Sequence, residues 1–191
     1  MGKAYVLHIN NYQPTMKLVI IGFATSYKST VAKHISQKLN IPLFDIDKLV
    51  ESQAGTTIAQ IFAEQGESHF RKMESQVILD LSQKDDCVIS CGGGSVMSQD
   101  FPQLCQNATV LWLKVDAKSA HRRLNGHTRP LFDGLSVEEL YQKIAERTPL
   151  YAKYATLTLD TSNKGSKKVL ADVYKLLKLN WFTISHSKIL Q

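Results

Sequence analysis

The 191 residues are 43% hydrophobic and 21% charged, which is enough apolar material for one proper core and an ordinary charge content, so a disordered or low-complexity chain is excluded. The formal net charge of +6 comes from Lys and Arg that are scattered rather than run together, so it points to anionic small molecules ahead of nucleic acid, which is not expected as a partner. The three cysteines, Cys87, Cys91 and Cys105, form no CxxC pair, no apolar run is long enough to span a membrane, and the N-terminus has no signal-peptide pattern, so a cytoplasmic protein without disulfides or a membrane span is expected.

Residues 1–15 are polar and mixed and read as an N-terminal extension, with a short edge strand from Ala4 to Ile9 as one option. The first strong element follows at Lys17 to Thr30, KLVIIGFATSYKST. Leu18-Val19-Ile20-Ile21 is a β-branched run of the kind buried on both faces of a parallel sheet. Val31, Ile35 and Leu39 then recur at helical spacing. Strand, Gly22, polar loop and Lys28-Ser29-Thr30 at the start of a helix form the outline of a phosphate-binding loop. There, backbone N–H groups and the helix dipole face an anion, Lys28 supplies a point charge and the Ser29 hydroxyl is placed for magnesium. The usual pattern, G-x-x-x-x-G-K-[ST], has glycine where this chain has Tyr27. The alternative is a strand–turn–helix with Lys28 solvated in the first turn.

Ile41 to Asp47 reads as a short strand whose alternation puts Asp45 and Asp47 on one face. Two acids at the mouth of a parallel sheet suit magnesium and a substrate hydroxyl. Asp47 also stands where it can cap the next helix. A short helix is expected after Gly55-Thr56-Thr57, Gly66-Glu67 punctuates, and a longer helix runs from Ser68 to Leu81. It carries Arg71 and Glu74 three apart on one face, able to pair. Cys87 to Cys91 is a third strand that runs into Gly92-Gly93-Gly94. Three glycines exceed what a turn needs and allow a ligand close to the backbone.

The order of GxxxxxKST, FDID, GExxFRxxE, GGG and a later RPL resembles the shikimate kinase family, from about Met16 to about Ser162. The resemblance implies an α/β fold of the P-loop nucleoside-monophosphate-kinase kind: a five-stranded parallel sheet, helices on both faces and a mobile lid. It implies transfer of the γ-phosphoryl group of ATP, with Mg2+, to the 3-hydroxyl of shikimate, in aromatic amino acid biosynthesis. Carried over, Lys28 holds the β- and γ-phosphates within a loop of Gly22, Thr25, Ser26, Tyr27, Ser29 and Thr30. Ser29 and Asp45 serve magnesium, and Asp47 orients or deprotonates the attacking hydroxyl. Arg71, positioned by Glu74, pairs with the shikimate carboxylate, and Gly92, Gly93 and Gly94 line the shikimate pocket.

The rest of the chain continues the pattern. Thr109 to Val115 is the fourth strand, and Asp116-Ala117 caps a helix with Arg122 and Arg123. Residues 122–134 resemble the family's lid, from which Arg129 reaches the ATP phosphates, while Arg122 lies near the adenine and phosphates. His127 reads as a surface residue of that loop. Val137 to Glu146 is a helix leading into Arg147-Thr148-Pro149-Leu150-Tyr151, which resembles an R-x-P-x-Y segment with Arg147 as second arginine on the carboxylate. Leu157-Thr158-Leu159 is the last strand, Asp160 to Ser166 takes the adenine-loop position with Lys164 as the contact, and Lys167 to Leu179 closes a domain of residues 16–180. Residues 181–191 are a C-terminal tail. A monomer is expected. Thr25 and Tyr27 replace two glycines of the family loop G-x-x-G-x-G-K-S-T, so ATP use is expected to be impaired. A shikimate-binding protein with weak or no kinase activity is the alternative.

Overall fold

The structure, a computed structural model, describes residues 16–124 and 134–179. The expected extension (1–15), the tail (181–191), Arg129 and most of the expected lid lie outside the described residues.

β1 (Lys17–Ile21) is buried along its whole length. It is followed by α1 (Lys28–Leu39), β2 (Leu43–Asp45), α2 (Ile46–Ala54), α3 (Ile58–Ser82) and β3 (Cys87–Ser90). A 3₁₀ turn at Ser95–Met97 precedes α4 (Phe101–Leu104), β4 (Thr109–Lys114), α5 (Ala117–Leu124), α6 (Val137–Tyr154), β5 (Leu157–Asp160) and α7 (Ser166–Leu176). The strands form one parallel sheet in the order β2-β3-β1-β4-β5, as expected for the fold.

Strand alternation divides the core. Val19 and Ile21 face a cluster with Ile89, Val110 and Trp112, against Val50 of α2, Phe70 and Ile78 of α3 and Tyr151 of α6. Leu18 and Ile20 face the opposite cluster with Val88, Leu111 and Leu113, against Val31 and Ile35 of α1 and Val169 and Val173 of α7. A smaller cluster joins Phe23 and Ala24, just after β1, to Ala120, Leu124 and Leu140 on α5 and α6. That contact seats the loop between β1 and α1 against the α5–α6 layer.

Local sequence accounts for the element boundaries. Thr57 caps α3 through a reciprocal pair with Gln60. Gly66, at φ 79 and ψ 170, kinks that helix where Gly66-Glu67 was expected to punctuate it. Two boundaries differ from expectation. The second strand ends at Asp45, which itself caps α2 by accepting from the Lys48 N–H, so the cap is Asp45 and not Asp47. The helix expected to end at Glu146 runs on through Pro149 to Tyr154. Proline costs one backbone hydrogen bond there, the Thr148 hydroxyl donates to the Ile144 carbonyl at 2.8 Å, and burial of Tyr151 against Trp112 holds the last turns.

Gly22 ends β1 at φ +142, and a Cβ on it would lie 2.3 Å from the Leu113 carbonyl oxygen of β4. Backbone cannot yield as a flexible side chain can. Gly22→Ala is expected to cost more than about 2 kcal/mol of stability. A urea-denaturation midpoint equal to the native one would show that β1 and β4 tolerate the clash.

Candidate active site

The C-terminal ends of β1, β2 and β3 open on one cleft of about 540 Å³, the position at which open parallel sheets bind ligands. The loop from Gly22 to Lys28 forms one end of it. Tyr27 is the N-cap of α1 at φ 70 and ψ 19, and Thr25 stands at φ 64. Both therefore keep left-handed backbone although neither is glycine, at about 1–2 kcal/mol each. The loop thus bears the strain of the glycine-type backbone and does not relax away from it.

Lys28 is buried, and its ammonium donates to the Phe23 carbonyl at 2.9 Å. The Ser29 hydroxyl donates to the Asp45 carboxylate at 3.3 Å. Thr30 is exposed and lines the same cleft. The hydroxyls of Thr25 and Ser26 are buried without a partner among the described residues. The buried Lys28 ammonium at the head of a helix suits a polyphosphate, and the Ser29–Asp45 oxygen pair suits magnesium, which takes one or two protein oxygens besides phosphate and water.

Asp47 lies one residue into α2, and its carboxyl is pushed up to about 6 by burial and then by the Asp45 charge, while Lys28 pulls the other way. A Cβ on Gly92 would meet the Asp47 carboxylate at 2.5 Å and the Glu74 carboxylate at 3.3 Å. The first glycine is therefore a matter of space for two acids.

Arg71 and Glu74 pair as their spacing suggested, at 2.6 Å, with Glu74 buried and held also by the Ser95 hydroxyl at 2.7 Å. Glu67 takes the other edge of the Arg71 guanidinium at 2.9 Å. A Cβ on Gly94 would stand 2.8 Å from Arg71 Nη1, so the third glycine admits this arginine. Arg147 donates to the Gly93 carbonyl at 3.3 Å and lies over the Phe23 ring. The same carbonyl accepts from the Tyr151 hydroxyl, whose proton is held more tightly than usual, chiefly by burial. Arg71 and Arg147 thus reach one cleft from α3 and α6, beside an apolar wall of Ile58, Phe62 and Phe70.

Three expected contacts differ in detail. Gly22 serves the β1–β4 packing and is not part of the cleft lining. Lys164 turns its ammonium to Asp172 at 2.9 Å, leaving its carbonyl toward the loop. Arg122 is exposed at the cleft edge, and the neighbouring Arg123 makes the loop contacts. The burial phase of α5, with Ala120 and Leu124 inward, favours Arg123 over Arg122 and was readable in the sequence. Ser95 had no such signal, whereas Glu67, four residues before Arg71 in GExxFRxxE, and Tyr151, in R-x-P-x-Y, did.

Comparison with known proteins agrees with this geometry. The family model described as shikimate kinase matches residues 25–178. A shikimate kinase of Dehalococcoides mccartyi is 34% identical over 163 residues, covering 84% of this chain and 93% of its own. One from Mycobacterium avium is 36% identical over 156 residues, covering 81% and 89%. A shikimate kinase from Acinetobacter baumannii, solved in complex with shikimate, superposes with a TM-score of 0.78 at 26% identity over 90% of this chain and 97% of that one. The family model and these relatives each span most of the chain, and the chain belongs to the shikimate kinase family.

Proposed function

We propose that this cleft takes ATP over the Lys28 loop and shikimate over the glycine triplet, with Asp47 serving the hydroxyl between them. The overall reaction, ATP-dependent phosphorylation of shikimate with Mg2+, is that of the family. The observation that carries the residue roles is the shared cleft: the buried Lys28 and the two arginines line one space, and Asp47 senses the charges of both Lys28 and Glu74.

Arg71 and Arg147 bind the shikimate carboxylate from two sides, a use suited to planar, always-charged guanidinium groups. Glu74 and Glu67 fix the Arg71 plane before substrate arrives. Glycines 92–94 leave room for the ring to approach backbone. Asp47, with its carboxyl near 6, is ionised at neutral pH and basic enough to accept the hydroxyl proton as the new O–P bond forms and the bond to the ADP oxygen breaks. Lys28, at the head of α1, stabilises charge on the transferred group. Magnesium, when bound, offsets phosphate charge, and Ser29 and Asp45 are the residues to hold it. Arg129, outside the described residues, is assigned to the phosphates by its place in the RPL motif. Among the described residues no helix is long and apolar enough to cross a membrane. The free thiols suit a reducing compartment, and we take the enzyme as a cytoplasmic monomer.

Arg71→Ala or Arg147→Ala removes a charge-assisted partner worth about 1.5–3 kcal/mol, so shikimate binding measured by calorimetry should weaken about tenfold or more in each. Unchanged affinity in both would refute the carboxylate assignment. Arg129→Ala should lower kcat while leaving shikimate binding without nucleotide intact, and a normal kcat would remove it from the mechanism.

Asp47 gives a pH test with a definite sign. Its carboxyl protonates near 6 when folded against 3.8 otherwise, so the folded state holds that proton more tightly. The resulting stability is full below about pH 4 and is lost as pH rises through 6. At neutral pH the ionised, largely buried group therefore costs about 2–3 kcal/mol. Asp47→Asn should raise the urea-denaturation stability at neutral pH by about that amount, change it little near pH 4, and abolish turnover. An Asn variant no more stable than the native chain at neutral pH would contradict the raised carboxyl.

A further inference from the structure

The loop carrying Lys28 has the backbone of a glycine loop without two of its glycines, and one side chain touches both replaced positions. Arg123, on α5, donates from Nη1 to the Thr25 carbonyl at 2.9 Å and sets its guanidinium carbon 4.2 Å from the centre of the Tyr27 ring. The same fork reaches the segment between β5 and α7: Nη1 meets the Thr161 hydroxyl at 3.3 Å, and Nη2 donates to the carbonyls of Thr161 and Lys164, the latter at 3.1 Å. Tyr27 closes the circuit by donating its hydroxyl to the Lys164 carbonyl at 3.3 Å. Lys164 is itself anchored to Asp172.

We propose that Arg123 is a positioning residue for the ATP site, holding Thr25 and Tyr27 in the left-handed backbone that glycine would adopt unaided. A planar guanidinium offers several donors in a fixed fork and a face that stacks on an aromatic ring. With Nη2 and one Nη1 hydrogen committed to the β5–α7 segment, the other Nη1 hydrogen and the guanidinium face leave one place for the Thr25 carbonyl and one for the Tyr27 ring. Relaxing either residue toward right-handed or extended backbone moves both away from the fork. The replaced glycines and the arginine therefore work as one unit, with Arg123 acting on nucleotide through the loop. This rests on the reading of the Lys28 loop as the ATP site.

The test is a double-mutant cycle read by calorimetric binding of ADP with magnesium. Arg123→Met should weaken ADP about tenfold or more in the native loop, and about threefold at most in a chain carrying Thr25→Gly and Tyr27→Gly. The glycine pair alone sets the reference from which the second Arg123→Met penalty is measured. Arg123→Lys should fall with Arg123→Met in the native loop, because charge without the planar fork does not brace it. Shikimate affinity without nucleotide should stay within about twofold in every variant, which reports an intact fold. Equal ADP penalties in both loops would mean direct nucleotide contact and overturn the proposal. So would no penalty in the native loop, or joint loss of shikimate binding, which would make Arg123 a general fold element. A native chain that binds ADP but phosphorylates no shikimate would count against the proposed reaction and leave the cycle readable.

Discussion

The active site depends on a backbone constraint: between β1 and α1 the chain turns through left-handed residues so that Lys28 heads a helix directly over the central strand. Thr25 and Tyr27 meet that constraint at a cost of about 1–2 kcal/mol each. The cost is tolerable because of what lies beneath. Each of Leu18, Val19, Ile20 and Ile21 is fully buried, and each such side chain contributes about 1.5–3 kcal/mol. β1 cannot shift to relax the loop without giving that up. Gly22 against Leu113 fixes where the strand ends, and Phe23 and Ala24 packed on α5 and α6 fix where the loop goes.

From that fixed loop the cleft is built as alternating charge. Lys28 stands at one end, Asp45 and Asp47 next to it, and then the Arg71–Glu74 pair and Arg147. The buried Glu74 neutralises only part of what the arginines bring, and it is itself satisfied by Ser95. The cleft thus keeps cationic capacity beyond that pair, with the Asp47 carboxyl raised by burial among these charges. Stability and chemistry oppose each other at that residue, because burial that makes the carboxyl a better base also makes its ionised form unwelcome.

The sheet was readable because its strands are short β-branched runs bounded by breakers, and a strand buried on both faces admits few other readings. The paired acids, the arginine–glutamate spacing and the glycine triplet were also legible, and the structure places them together. What escaped was whatever depends on three-dimensional support. The burial of Tyr151 against Trp112, which holds the helix beyond Pro149, has no local sequence pattern. The capping role fell to Asp45 because the strand ends two residues earlier than its alternation suggested. Tyr27 read as an objection to a phosphate loop because no local rule shows that an arginine some 98 residues away in sequence closes on Thr25 beside it.

A cleft that joins a phosphate donor to a shikimate hydroxyl turns over ATP only with that acceptor. Phosphorus NMR of the purified chain with ATP, magnesium and shikimate tests it most directly. The account predicts that the γ-phosphate signal is replaced, one for one, by a single phosphomonoester signal, and that neither change occurs when shikimate is left out. An undiminished γ-phosphate signal, or its conversion to inorganic phosphate alone, would contradict it.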